Sequence, residues 1–104
     1  MMSDSSFRDA IYHLMAQVPV GCVTTYGDLA GLAGHAYASR VVGGIAHAGP
    51  SELPWHRLVN RFGGLASGFH GGMIEQQRLL ESEGIECRNF VVIDFKEKRW
   101  QPKI

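Results

Sequence analysis

The sequence predicts a mainly α-helical fold with short β elements, organised around a helix-turn-helix. Three observations carry this expectation. Apolar residues recur at helical spacing in several segments, two short helical segments are separated only by a glycine-containing turn, and the β-prone run is confined to the tail.

The first helix is read from Phe7, Ala10, Ile11, Leu14, Met15 and Val18, which follow an i, i+3, i+4 pattern. Ser5 or Ser6 is expected to cap it, and Pro19 to stop it. Gly21-Cys22-Val23-Thr24 reads as a short extended link. Thr25 is placed to cap a second helix from about Tyr26 to Ala33, ended by Gly34. After the turn Gly34-His35-Ala36-Tyr37, residues Ala38 to His47 are expected to form the second helix of the pair, with Val41, Val42 and Ile45 as its apolar stripe.

Pro50 and Pro54 prevent one regular helix between Ser51 and Phe62, and Gly63, Gly64, Gly68, Gly71 and Gly72 mark a tightly turning loop. A further helix is expected from about Gly72 to Ser82, with Met73, Ile74, Gln77, Leu79 and Leu80 on its inner side and Gly84 beyond its end. The tail Val91-Val92-Ile93-Asp94-Phe95 is β-prone, its partner strand unassigned.

The chain of 104 residues is read as one domain, 1–104; 45% of its residues are hydrophobic and 19% charged, a globular balance. Its apolar runs fall short of the roughly 20 residues that a spanning helix requires, and MMSDSSFRDA lacks the blocks of a signal peptide. No membrane contact is therefore expected, and the expected location is the cytoplasm. Cys22 and Cys87 are too few for a disulfide framework and too far apart in sequence for a zinc motif, so both are expected to be reduced, buried thiols. No metal and no cofactor is expected. Ten basic residues balance ten acidic ones, so any affinity for nucleic acid must come from local placement rather than overall charge.

Ala38, Ser39, Gly43, Gly44 and Ala46 give the second helix of the pair a slim profile. An ordinary helix is about 10–12 Å across, whereas the minor groove of B-DNA is about 6 Å wide. The two glycines permit either close helix packing or close approach to a narrow groove, since each costs roughly 1 kcal/mol against alanine in a helix interior. Arg40 is the long cationic exception, free to enter a base stack or to reach solvent. Leu53-Pro54-Trp55-His56-Arg57-Leu58-Val59-Asn60 gathers an aromatic, an imidazole and a cation after a proline. There Trp55 serves either as core or as the wall of a pocket for a planar ligand.

Four ordered blocks carry a family resemblance: Val23-Thr24-Thr25-Tyr26-Gly27-Asp28-Leu29-Ala30, Ser39-Arg40-Val41-Val42-Gly43-Gly44, Leu53-Pro54-Trp55-His56-Arg57-Leu58-Val59, and Gly71-Gly72 through Leu79-Leu80-Glu81-Ser82-Glu83-Gly84. From Tyr26 to Glu83, and more weakly through the first helix, the chain resembles the C-terminal domain of the O6-alkylguanine-DNA alkyltransferases. The resemblance implies a winged-helix-like, helix-turn-helix DNA-binding fold. It departs at the defining Pro-Cys-His-Arg motif, where Pro54-Trp55-His56-Arg57 stands instead. An indole offers no thiolate, so no alkyl transfer is expected. The same substitution marks the alkyltransferase-like proteins, which bind alkylated DNA and pass it to nucleotide excision repair.

Carried over residue by residue, the resemblance implies that Arg40 fills the stack left by a flipped guanine and Tyr26 presses on the neighbouring phosphate. Ser39, Gly43 and Gly44 would lie along the DNA. Trp55, Phe69 and the backbone around Val59 and Ser67 would line the lesion pocket, and His56 with Glu83 would form a structural pair beside it. Phe69 stands where the family usually has a tyrosine, so a hydrogen bond to the base is expected to be missing. Gly49 replaces an asparagine that ties the turn before the motif, which is expected to loosen that turn. The implied partners are double-stranded DNA containing O6-alkylguanine and nucleotide excision repair proteins. A stand-alone monomer without the enzymes' N-terminal domain is expected, nucleoid-associated when DNA-bound. The alternatives are an alkyl-accepting protein using Cys22 or Cys87, and a helix-turn-helix regulator that reads sequence in the major groove.

Overall fold

Phe7, Ile11 and Met15 follow one another at intervals of four residues, and all three are buried along α1 (Asp4–Met15) in the computed structural model, which describes residues 4–102. Ser5 and Ser6, expected as caps, lie inside this helix instead. The helix also ends before the residue that Pro19 was expected to impose. Val18 precedes a proline and so avoids the α region. The last turn therefore tightens, with Gln17 N–H on Leu14 C=O and Val18 N–H on Met15 C=O.

The extended link ends in β1 (Thr24–Thr25), and the Thr25 hydroxyl accepts from Asp28 N–H at 3.0 Å, the expected cap of α2 (Tyr26–Leu32). Gly34 takes φ +91° just beyond the helix, a left-handed conformation suited to glycine. A single 3-10 turn, Ala36–Ala38, leads into α3 (Ser39–His47), completing the helix-turn-helix. Only Val42 of the expected stripe is fully buried; Val41 is 47% exposed and Ile45 intermediate. Successive residues point about 100° apart on a helix, so Val41 and Val42 do not share the inward direction.

A second 3-10 turn, Trp55–Arg57, runs into β2 (Leu58–Val59). That strand pairs in parallel with β1, Thr24 opposite Leu58 and Thr25 opposite Val59. The pairing brings the Trp55 segment beside the helix-turn-helix despite some thirty intervening residues.

The helix α4 (Gly72–Ser82) has the expected bounds, but its inner face differs. Gln76 and Leu80 are buried, whereas Ile74 is 76% exposed and Gln77 intermediate. The buried amide is tolerated because its hydrogen bonds are made, as described below. Beyond Gly84 the tail forms the hairpin β3 (Cys87–Arg88) and β4 (Val91–Val92), which supplies the unassigned partner strand. Its turn residues Asn89 and Phe90 have φ +53° and +60°, matching the twist that two-residue hairpins require. The β-prone run stops short of Phe95, which opens α5 (Phe95–Lys98).

Two apolar clusters fill the interior. Phe7, Ile11, Met15, Leu29, Val42 and Trp55 belong to the first; Val23, Val59, Leu65, Leu80, Ile85 and Val92 form the second. Among the described residues no helix is long and apolar enough to cross a membrane.

Candidate nucleic-acid interface

A cavity of about 370 Å³ opens between α2, α3, the Trp55 turn and the glycine-rich loop. Tyr26 from α2, Gly43, Ala46 and His47 from α3, Trp55, Leu58 and Asn60, and the loop from Leu65 to His70 line it. Its size falls at the lower end of the range for small-ligand sites.

Trp55 is both core and wall. Only 9% of the residue is exposed, and its ring stands edge-on to Tyr12 with centroids 6.1 Å apart. The indole Nε1–H donates to the Pro50 carbonyl at 2.9 Å. A Cβ built on Gly49 would lie 2.5 Å from Trp55 Cζ2, inside any tolerable contact. The turn expected to be loose at Gly49 is instead held by the indole, and the absence of a side chain there makes room for it.

The other expected pocket residues divide. Tyr26, Ser67 and Phe69 border the cavity, Ser67 exposed and Phe69 packed partly against the first cluster. Burial pushes the Tyr26 phenol above its ordinary pKa, keeping the hydroxyl neutral. Val59 lies elsewhere: its side chain is wholly buried in the second cluster, and its neighbours Leu58 and Asn60 line the cavity.

His56 and Glu83 are bonded as expected, Nε2 to Oε2 at 2.8 Å, but a third member dominates. Arg57 donates from Nε to Glu83 Oε1 at 2.9 Å and from Nη2 to Oε2 at 2.7 Å, while its Nη1 donates to the Val18 carbonyl at 2.8 Å. The side chains are only 13–15% exposed. Arg57, with a smaller contribution from His56, holds the Glu83 carboxyl below its usual pKa against the opposing effect of burial. None of the three lines the cavity. They lock the Trp55 turn to the end of α4 and to the segment after α1.

Two site residues escaped sequence reasoning. The Gln76 amide accepts from Ala66 N–H at 2.8 Å and donates to the His56 and Leu58 carbonyls at 3.1 and 3.0 Å. It thereby joins one cavity wall to the other. The sequence reading places Gln77 on the inner side, and nothing in the adjacent Gln76-Gln77 pair marks that Gln76 is the one that turns inward. The Asn60 Oδ1 accepts from Phe62 N–H and Gly64 N–H, both at 2.8 Å, closing the next turn. Asparagine before a glycine pair was the available signal for that local bonding.

On α3, a Cβ at Gly44 would meet nothing within 4 Å, and one at Gly43 would sit 4.0 Å from Tyr26 Cε1, in ordinary contact. Helix packing thus demands neither glycine, and the slim surface remains open. Arg40 is exposed near the start of this helix. Arg8, Arg57, Arg78 and Arg99 pair with carboxylates, whereas among the described residues Arg40 takes part in no ion pair. Ser39 lines a second groove, of which Tyr26 also forms part.

Residues 6–85 match the family described as 6-O-methylguanine DNA methyltransferase, DNA binding domain. The chain belongs to this family. Within it, the chain is 41% identical over 103 residues to the DNA base-flipping protein of Escherichia coli, covering 96% of this chain and 78% of that one. It is 31% identical over 108 residues to Alkyltransferase-like protein 1 of Schizosaccharomyces pombe, covering 97% and 100% respectively. Its fold matches the crystal structure of S. pombe Atl1 in complex with damaged DNA containing O6-carboxymethylguanine at a TM-score of 0.82, with 29% identity, covering 98% of this chain and 100% of that one.

The two cysteines are partly buried rather than fully so, and neither lines the cavity. Among the described residues no group of three or more His, Cys, Asp or Glu side chains is placed to hold a metal ion.

Proposed function

We propose that this chain is a non-enzymatic sensor of DNA damage: it binds double-stranded DNA through the minor groove at O6-alkylguanine, receives the flipped base in the cavity, and marks the site for nucleotide excision repair. The observation that carries the reading is Trp55, which stands at the motif position of the nucleophilic cysteine and forms a wall of a cavity beside α3. Its indole nitrogen is a donor only and is already bonded to Pro50. The motif position therefore offers a flat surface for a base and no thiolate to accept an alkyl group.

The slim, open face of α3 supports entry into a narrow groove, and Arg40, exposed near the start of that helix and in no ion pair among the described residues, is positioned to follow it. Flipping costs a few kcal/mol of stacking and pairing, and O6-alkylation lowers that cost by spoiling the Watson-Crick edge. Passage to nucleotide excision repair, and action as a monomer, rest on the resemblance to alkyltransferase-like proteins.

Alkyl transfer to another cysteine fits less well. Burial, assisted by Glu81, pushes the Cys87 thiol above its ordinary pKa, away from the reactive thiolate, and Cys22 packs against the first cluster. A sequence-reading regulator would present long polar side chains from its recognition helix, unlike Gly43 and Gly44.

Fluorescence-anisotropy titration of duplexes that differ only in one guanine, O6-methylated or unmodified, tests the proposal at fixed salt. A preference of about tenfold, or about 1.4 kcal/mol, that is lost in Arg40→Ala is the expected result. Equal affinity for both duplexes overturns it. Intact-mass measurement after incubation with the methylated duplex should leave the protein mass unchanged; an added methyl would make the chain an enzyme.

A further inference from the structure

A groove of about 320 Å³ adjoins the cavity and is lined by Tyr26, Gly27, Ser39, Asn60, Arg61 and Phe62. Tyr26 and Asn60 border both spaces, so the groove and the cavity meet at these two residues. At its edge Phe62 is 68% exposed, with the Arg61 guanidinium 4.8 Å from the ring centroid.

The exposed ring stands on a fixed turn. Asn60 Oδ1 holds the amides of Phe62 and Gly64, and the backbones of Asn60 and Gly64 are bonded directly at 2.9 Å. Val92 N–H donates to the Gly63 carbonyl at 2.9 Å, anchoring the turn to the β3–β4 hairpin. A Cβ at Gly63 would lie 2.9 Å from Phe95 Cγ, and one at Gly64 would lie 2.5 Å from Asn60 Nδ2, so the turn is packed from beneath. An aromatic ring held in water by a rigid turn, beside a cation free of carboxylate partners among the described residues, has the chemistry of a stacking platform for nucleic acid.

We propose that Phe62 is a second nucleic-acid contact of this chain: its ring packs against a sugar or base of the DNA strand next to the cavity, while Arg61 faces the adjoining phosphate. The inference rests on the reading of the cavity as a base pocket and adds a contact outside it. Charge favours this occupant over a protein partner, because the groove carries Arg61 and no carboxylate side chain.

The test compares wild type, Phe62→Ala, Phe62→Trp and Arg61→Ala by anisotropy, using the O6-methylguanine duplex and its unmodified counterpart across a salt series. Phe62→Ala should weaken binding to both duplexes about tenfold while keeping the preference for the lesion, and Phe62→Trp should retain wild-type affinity. Arg61→Ala should flatten the plot of log K against log salt by about one phosphate contact. Unchanged affinity in Phe62→Ala, with the wild-type lesion preference intact, overturns this inference and leaves the cavity reading standing. Wild type that fails to distinguish the duplexes removes the cavity reading and this inference with it.

Discussion

Gly49 and Trp55 are sterically matched: the space that a Cβ at Gly49 would occupy, 2.5 Å from Trp55 Cζ2 and 3.1 Å from the Ile45 carbonyl, is already filled by the indole and the end of α3. Two residues six positions apart along the chain are therefore one packing solution. The indole also ties the turn, since its Nε1–H donates to the Pro50 carbonyl.

Gly49→Ala should destabilise the fold by about 1–3 kcal/mol, the usual cost of overpacking a filled site. The same change in a Trp55→Ala background should cost less, because the obstructing ring is gone. Urea denaturation of the four proteins gives the coupling directly. Equal costs in both backgrounds would mean that the ring and the glycine do not constrain one another.

Arg57→Ala should cost about 1–3 kcal/mol, because it leaves the part-buried Glu83 carboxylate with only His56 as partner. The pH dependence follows from the sign of the Glu83 shift. Its folded-state pKa lies below the unfolded value, so its contribution is complete above the ordinary glutamate pKa of about 4.3 and is lost as pH falls through the depressed value. Denaturation midpoints followed from pH 7 downwards should fall more steeply below about pH 4.3 in wild type than in Glu83→Gln. Parallel profiles would count against the ion pair as a source of acid sensitivity.

Gln76→Leu should strip partners from Ala66 N–H and from the His56 and Leu58 carbonyls, at a cost of about 1–3 kcal/mol. Hydrogen exchange at the Ala66 amide should accelerate more than at the buried amides of α1, and the lesion preference should shrink as the cavity walls separate. Unaltered exchange at Ala66 would show that the loop is held by other contacts.

Cys87 should react with iodoacetamide more slowly than an unhindered cysteine at pH 8, since its raised pKa leaves less thiolate at any given pH. Peptide mass spectrometry over time reads the rate. Reaction as fast as a free thiol would reopen the possibility of an alkyl acceptor on this hairpin.

Much of the local structure was legible in the chain. Thr25 capping α2, Gly34 after its end, and the bounds of α4 follow from capping chemistry and backbone conformation, which depend on near neighbours. The tail was only half legible. Val91 and Val92 advertise a strand, but Asn89 and Phe90 adopt positive φ only because the hairpin closes around them, and Phe95 is drawn into α5 against Gly63.

By itself the sequence determined the helix-turn-helix and the family, because each is written in residue type and spacing. Tertiary structure alone decided that Gln76 rather than Gln77 turns inward, that Val59 is buried outside the cavity wall, and that Arg57 joins His56 on Glu83. Those outcomes depend on which surfaces meet across long stretches of chain. Periodicity assigns a side chain to a face of its own helix or strand, but the partner that satisfies a buried amide or carboxylate exists only once the elements have packed.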